Sequence, residues 1–448
     1  MAQQEPSILI IGAGTFGVST AWHLAKTYRD PSRVTIIDRS PSPPEPAAAI
    51  DINRIIRTDY NRPLYCNLAY TALHDWFWTH ELQSHFFKVG WLYLNDKGSD
   101  LAKEIRATLR DRGSNLTEDV DLEELDKRWS VLQGTDTGNS DSAYFNPDAG
   151  WCNAAAATAS LMSAAEERGV KRVIGDVHEL ILDMDTGGIK SVCTTEGQHY
   201  TADKIVLAVG AWTSSVLSPL EEALGLPEQD RVESQVRATG GVTAYYKVSR
   251  DEVDRIAETE LPCVVYGEQG EVIPPSRDNY LIKYSNTTGT FTNTVKTPSG
   301  NKITVPAIGR SQYNVPDAIK RETEEAMCSR VMPQYTRGRS ADYWRICWDA
   351  FTPTEDWLLC KHPHEKLANL YLAVGGSFHS YKFLPVAGRF MLKVLDGESN
   401  GEEMDRAWSW KRGVDWDNAT SPRLPKRELR DLLCAQSGPS AARLGSKL

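Results

Sequence analysis

An apolar run at residues 7–11 (SILII) breaks into Gly12-Ala13-Gly14-Thr15-Phe16-Gly17. An amphipathic stretch then runs from residue 18 to about 26, and a second β-like run at 34–37 ends in Asp38. Strand, GxGxxG, helix, strand and acid within about thirty residues predict a dinucleotide-binding βαβ unit. Each part has a physical task. Gly12 permits the tight turn, Gly14 lets backbone approach a pyrophosphate, and Gly17 lets the helix pack close to the strand. The helix N-terminus turns its unpaired N–H groups toward the anion. Asp38 stands twenty-one residues after Gly17, where a ribose hydroxyl is read.

What surrounds this unit bounds the rest. The chain has 448 residues, enough for two or three domain-sized pieces. Fifty Lys and Arg against sixty Asp and Glu give a net charge of −10, which speaks against a nucleic-acid partner. No apolar run is long enough to predict a membrane span, and the N-terminus lacks the pattern of a secretory signal. Eight cysteines are scattered without a CxxC pair, so neither a disulfide framework nor a metal site is expected. The sequence ends in Ser446-Lys447-Leu448, a receptor-read peroxisomal address. The small, polar residues before it are expected to present that address as a flexible tail.

Along the chain, a Pro-rich loop at 41–49 precedes IDINRIIR, and helical patterning resumes over 67–82. Surface helices are expected within 97–128, and an Ala-rich helix over 153–168. The stretch after it, VKRVIGDVHELILDM, reads as strand, and KIVLAV at 204–209 is another apolar strand, running into Gly210-Ala211-Trp212. From 235 to 345 alternating strands and polar turns replace helix. A buried strand at 370–374 meets Gly375-Gly376-Ser377, and a helix follows from about 385 to 394. The expected fold is mixed α/β: a discontinuous Rossmann-like FAD domain (1–85, 150–225 and 340–400) with an inserted antiparallel-sheet substrate domain (86–149 and 226–339). Residues 401–448 form a C-terminal extension.

One GxGxxG fingerprint and the late strand–Gly element favour FAD alone over a nicotinamide cofactor. Four further segments carry a resemblance: INRIIR (52–57), LIKY (281–284), RICWDAFTPTEDWLLCKHP (345–363) and VGGSFHSYKF (374–383). With GAGTFG, they resemble the FAD-dependent amine oxidases of the monomeric sarcosine oxidase type. That family includes fructosyl amino acid oxidases (amadoriases), pipecolate oxidases and saccharopine oxidases.

The resemblance implies roles. Cys347 would join the flavin through a thioether. Lys283 would sit against the flavin as the cation that assists electron transfer to oxygen. Arg57 and Lys382 would bind the substrate carboxylate, Arg as a planar two-pronged donor and Lys as a point charge. Arg54, on the same surface as Arg57 if the segment is helical, would be a catalytic cation. Asp51 and Asn53 flank it as contacts to FAD or substrate. Gly375, Gly376, Phe378, His379, Ser380 and Lys382 would border the flavin pyrimidine. Thr15, Phe16, Arg39, Val177, Gly210 and Trp212 complete the expected cofactor contacts. The implied reaction passes a hydride equivalent from a carbon beside the amine to flavin N5, and oxygen becomes hydrogen peroxide. A small-molecule amino acid substrate (N-methyl amino acid, pipecolate, saccharopine or Amadori compound) and oxygen are the expected partners of a monomer without a metal.

Two positions depart from the pattern. Four residues after Lys283 stands Thr287, where sarcosine oxidases have His and amadoriases Glu. Two residues after Cys347 stands Asp349, where sarcosine oxidases place an aromatic. Thr287 weakens a fructosyl-binding reading, and Asp349 is expected to touch substrate.

Overall fold

The computed structural model describes residues 4–183, 187–307 and 311–434. A six-stranded sheet and an eight-stranded sheet carry most of the architecture. The six-stranded sheet runs in the order Leu358–Lys361, Leu370–Val374, Lys204–Leu207, Ile8–Ile11, Val34–Asp38, Lys171–Ile174. Its strands are parallel except the first, which is antiparallel to its neighbour. Helices and loops bury both faces at its centre, so Ile8–Ile11 is an unbroken apolar run with every side chain buried. The helix Thr15–Thr27 crosses from Ile8–Ile11 toward Val34–Asp38. It meets the helix Ala387–Asp396 so closely that a Cβ on Gly388 would stand 2.1 Å from the Ser19 carbonyl oxygen.

The eight-stranded sheet is antiparallel except where Cys263–Tyr266 lies parallel to Trp91–Asp96. Its order is Tyr343–Phe351, Arg237–Lys247, Leu281–Thr292, Gly270–Ile273, Cys263–Tyr266, Trp91–Asp96, Ser140–Asn146, Glu118–Val120. Alternation sets its two faces. Val242, Ala244, Tyr246, Ile282, Tyr284, Val272 and Ile346 point into one apolar core. The in-between positions carry Gly241, Thr243, Tyr245, Lys283, Ser285, Glu271, Arg345 and Cys347, which pair side by side across four strands.

Several expectations change in detail. The strand Tyr343–Phe351 belongs to the eight-stranded sheet, so the six-stranded sheet resumes at Leu358 rather than near 340. The stretch after residue 170 is two strands. Lys171–Ile174 joins the six-stranded sheet, and Val177–Leu182 enters a separate antiparallel sheet after a break at Gly175 and Asp176. Residues 97–128 contain the helix Leu101–Asp111 but also the strand Glu118–Val120. The C-terminal segment packs back on the body. The end of the strand Leu281–Thr292 receives it through Thr292 N donating to the Arg427 carbonyl at 2.9 Å, and the residues just after it through Thr294 N donating to Glu428 Oε2 at 3.0 Å. Ser446-Lys447-Leu448 lies outside the described residues. Among the described residues, no helix is long and apolar enough to cross a membrane.

Candidate active site

One cavity spans both sheets. The glycine loop lines one end with Gly12, Gly14, Thr15 and Phe16, joined by Asp38, Arg39, Val177, Gly210 and Trp212. The other end is lined by Arg54, Arg57, Cys347 and Asp349, by Gly376, Phe378, His379, Ser380 and Lys382, and by Glu271, Ser285 and Arg423.

The loop's geometry follows from its glycines. Gly12 adopts φ +99°, and a Cβ there would stand 2.5 Å from the Ala208 carbonyl oxygen. A Cβ on Gly17 would lie 1.8 Å from the Gly12 carbonyl oxygen, so the helix can start here only without a side chain. A Cβ on Gly14 would meet nothing within 4 Å, since this side of the glycine faces the open cavity. Asp38 accepts from Ala13 N at 2.7 Å and is pushed up from the usual carboxylate range by burial. The Arg39 guanidinium stacks 4.6 Å over the Trp212 ring at the wall of this end.

The other end is built around a buried charge network. The Asp51 carboxylate accepts from Lys283 Nζ at 2.8 Å, from Tyr245 Oη at 2.9 Å, and from Arg54. Arg345 Nη1 lies 3.2 Å away. Three cations around one carboxylate leave a net charge of +2 behind the cavity wall. Asp51 is held below the usual carboxylate range by Lys283, Arg54 and Arg345 against the burial that opposes it. Lys283, fully buried, is lowered by desolvation and by Arg54. Its ammonium also donates to the Asn53 carbonyl at 3.1 Å.

Asp51, Asn53 and Lys283 do not line the cavity. The expected direct contacts to FAD or substrate are thus replaced, for these three, by a layer beneath the wall. The reason is register: Lys283 pairs with Tyr245 on the same sheet face, and the loop at 51–53 closes over both. Arg54 is the part of the network that reaches the surface. It begins the strand Arg54–Ile56, not a helix, and donates from Nη2 to Cys347 Sγ at 3.2 Å and to the Ala48 carbonyl at 2.7 Å. Arg57 turns elsewhere, its guanidinium 4.6 Å over Tyr60 and 5.1 Å over Trp91.

Tyr60 ties the substrate side together. Its hydroxyl receives Lys382 Nζ at 3.0 Å and meets His379 Nδ1 at 3.0 Å. The Lys382 ammonium also donates to the His379 carbonyl at 2.6 Å, and burial beside Arg57 lowers it well below its ordinary range. Burial and Lys382 likewise lower His379, whose Nε2 meets the Glu355 carbonyl at 2.8 Å. Arg57 Nη1 is buried beside this group without a partner among the described residues. Arg423 completes the rim, held by Glu355 at 2.5 Å.

Asp349 has a structural task. Its Oδ2 accepts from Phe378 N and its Oδ1 from Ala350 N, both at 2.8 Å. This pins a loop in which Gly375, Ser377 and Phe378 have φ of +90°, +47° and +59°. A Cβ on Gly376 would stand 2.6 Å from Asp349 Oδ1, so the glycine makes room for the carboxylate. Substrate contact, expected at this residue, competes with two backbone hydrogen bonds already made.

Sequence reasoning missed Tyr60, Glu271, Arg345 and Arg423. Arg345 was within reach: it lies two residues before Cys347 and so shares its sheet face. The others carry no local signature. Among the described residues there is no group of three or more metal-binding side chains.

The family model of the FAD-dependent oxidoreductases called DAO matches residues 7–393. The chain belongs to this family. It is similar to L-saccharopine oxidase of Schizosaccharomyces pombe, 29% identical over 90% of this chain and 93% of that one. It is also similar to monomeric sarcosine oxidase of Bacillus sp., 25% identical over 86% and 91%. Among solved structures, fructosyl peptide oxidase from E. terrenum superposes with a TM-score of 0.81 at 25% identity, covering 96% of this chain and 98% of that one. The protein is thus an FAD-dependent oxidoreductase. The cavity fits the cofactor: an open glycine loop at a helix N-terminus leads to a wall carrying Arg54, Cys347 and the glycines at 375 and 376.

Proposed function

We propose that this oxidoreductase oxidises the C–N bond of a secondary-amine amino acid, passes the electrons to oxygen and releases hydrogen peroxide. The observation that carries this reading is the pair Arg57 and Lys382. A guanidinium nitrogen buried without a partner and a buried ammonium face one cavity, and a carboxylate satisfies both. FAD in this groove supplies the two-electron acceptor that oxygen regenerates. Around it, Arg57 and Lys382 orient the substrate, and Tyr60 holds Lys382 in place. Arg54 and the Asp51 network supply fixed positive charge where reduction of oxygen makes an anion. The Cys347 thiol, at the wall beside Arg54, is the proposed point of a covalent flavin link. Thr287 donates its hydroxyl to the Glu268 carbonyl at 2.7 Å and offers a sugar no carboxylate, which favours an N-alkyl amino acid over a fructosyl one. The chain acts as a monomer, and its terminal Ser446-Lys447-Leu448 takes it through the import receptor to the peroxisome, where peroxide is handled.

Anaerobic mixing of the holoenzyme with a panel of secondary amines tests the reading. N-Methyl amino acids bleach the flavin, and Arg57→Ala weakens them by about 1.5–3 kcal/mol relative to the matching amines without a carboxylate. A flavin that stays oxidised with every secondary amino acid, or that responds equally to the decarboxylated amines, overturns it.

A further inference from the structure

Beyond the carboxylate pair, the cavity continues to a corner lined by Glu271, Ser285, Asn286, Thr287, Thr290 and Arg423. Most polar groups here are spent within the chain. Thr287 donates to the Glu268 carbonyl and Thr290 to the Arg423 carbonyl at 2.9 Å. The Asn286 amide oxygen takes Gly289 N at 3.0 Å, and Glu355 holds the Arg423 guanidinium. Two groups are left over. The Glu271 carboxylate and the Ser285 hydroxyl pair across adjacent strands on the cavity face. Neither side chain has a hydrogen bond or an ion pair among the described residues.

Glu271 is close enough to Arg54, Lys283 and Lys382 to act on them electrostatically. It is nevertheless not their counter-ion. Lys283 and Arg54 are paired with Asp51, and Lys382 with Tyr60 and the His379 carbonyl. Glu271 is part-buried and faces the cavity with its carboxylate oxygens uncommitted, so they are free to accept from a donor that the ligand brings. One wall of the cavity therefore offers Arg57 and Lys382 to an anion, and another offers Glu271 to a cation.

We propose that Glu271, with Ser285 beside it, recognises an ammonium on the N-substituent of the substrate. This rests on the secondary-amine oxidase reading and narrows its substrate class. The substrate is an amino acid whose carboxylate docks on Arg57 and Lys382 and whose N-alkyl arm ends in a basic amine.

The test uses the holoenzyme with N-(4-aminobutyl)glycine and its neutral counterpart N-pentylglycine, followed by flavin bleaching without oxygen. Binding of (4-aminobutylthio)acetate against (pentylthio)acetate, in which sulfur stands in place of the oxidisable amine, read from perturbation of the flavin spectrum, gives a measure independent of turnover. The wild type prefers each ammonium-bearing ligand by about tenfold or more, the range of a charged hydrogen bond. Glu271→Gln removes the preference, so that in the variant the ammonium-bearing and neutral ligands differ by less than about twofold. Bleaching by both glycines without preference, or a preference that survives in Glu271→Gln, overturns the Glu271 assignment and leaves the oxidase reading standing. A flavin that no secondary amino acid bleaches overturns both.

Discussion

The two ends of the cavity are built on different principles. At the glycine loop the decisive residues fall within residues 8–38, closed off by the Ala208 carbonyl, and backbone does the work: an absent side chain at Gly12 and Gly17, an open N–H row at the helix start. At the charged end the backbone is an ordinary sheet face, and side chains do the work. Asp51, Tyr245, Lys283 and Arg345 come from four separate segments; strand register positions the last three, and the loop at 51–53 brings the carboxylate over them. A site made of backbone tolerates changes of side-chain chemistry but not of volume. A site made of paired charges tolerates changes of volume but not the loss of one member.

Loss of the hub at the charged end therefore has the largest expected effect. Asp51→Ala leaves Lys283 and Arg345 buried, and Arg54 at the cavity wall, with only neutral partners: backbone carbonyls, the Gln312 amide and the Cys347 thiol. Breaking one side of a buried ion pair costs about 3–5 kcal/mol, because the surviving charge stays desolvated. Thermal and denaturant unfolding should show a loss of this size, and Asp51→Asn should recover only part of it. An Asp51→Ala protein as stable as wild type would mean that the cations are solvated, and the contrast between the two ends would disappear.

The glycine end is expected to fail differently. Gly17→Ala puts a methyl group 1.8 Å from the Gly12 carbonyl oxygen, an encounter with backbone that no rotamer relieves. Overpacking of this kind costs about 1–3 kcal/mol. The displaced loop should also lower the flavin content per chain more than the loss of stability alone explains. Absorbance of the purified protein measures that content. A Gly17→Ala protein with full flavin would show that the loop adapts, and volume would not be the controlling variable there.

This difference also explains what the sequence could and could not reveal. The βαβ unit is legible because its glycines, helix and acid sit at fixed short spacings. Cys347 and Arg345 are legible in principle because strand alternation puts them on one face. Tyr60 is not, since what gives it meaning is Lys382 and His379 more than 300 residues later. Asp51, Asn53 and Lys283 were expected in direct contact with the ligands, and they lie one layer below. No local pattern tells a side chain that lines a wall from one that supports it. Arg423 reaches the cavity because the C-terminal segment pairs with the strand Leu281–Thr292, a tertiary event that its own sequence does not announce.

Another buried carboxylate shows what Asp51 would be without its cations, with the smallest expected effect. Glu233 lies between Ser214, whose hydroxyl donates at 2.5 Å, and Thr304, whose hydroxyl donates at 2.9 Å. Hydroxyls and a more distant Arg237 do not offset burial, which pushes this acid up from 4.5 to about 7. Since its folded value is raised, the folded state holds a proton that the unfolded state releases. Stability from this group is present below about pH 4.5 and is lost as pH rises through about 7, at a cost on the order of 1–2 kcal/mol after allowance for partial solvent screening. Glu233→Gln carries no charge at any pH; its amide oxygen accepts from one hydroxyl and its NH2 donates to the other, which turns to accept. It should match wild type near pH 5 and exceed it by that amount near pH 8, in unfolding experiments run at both. A difference that does not change with pH would mean that Glu233 is ionised throughout. Two hydroxyls would then hold a buried carboxylate charged as Asp51 is held, and the need for three cations around Asp51 would have to be sought in the chemistry of the site rather than in its burial.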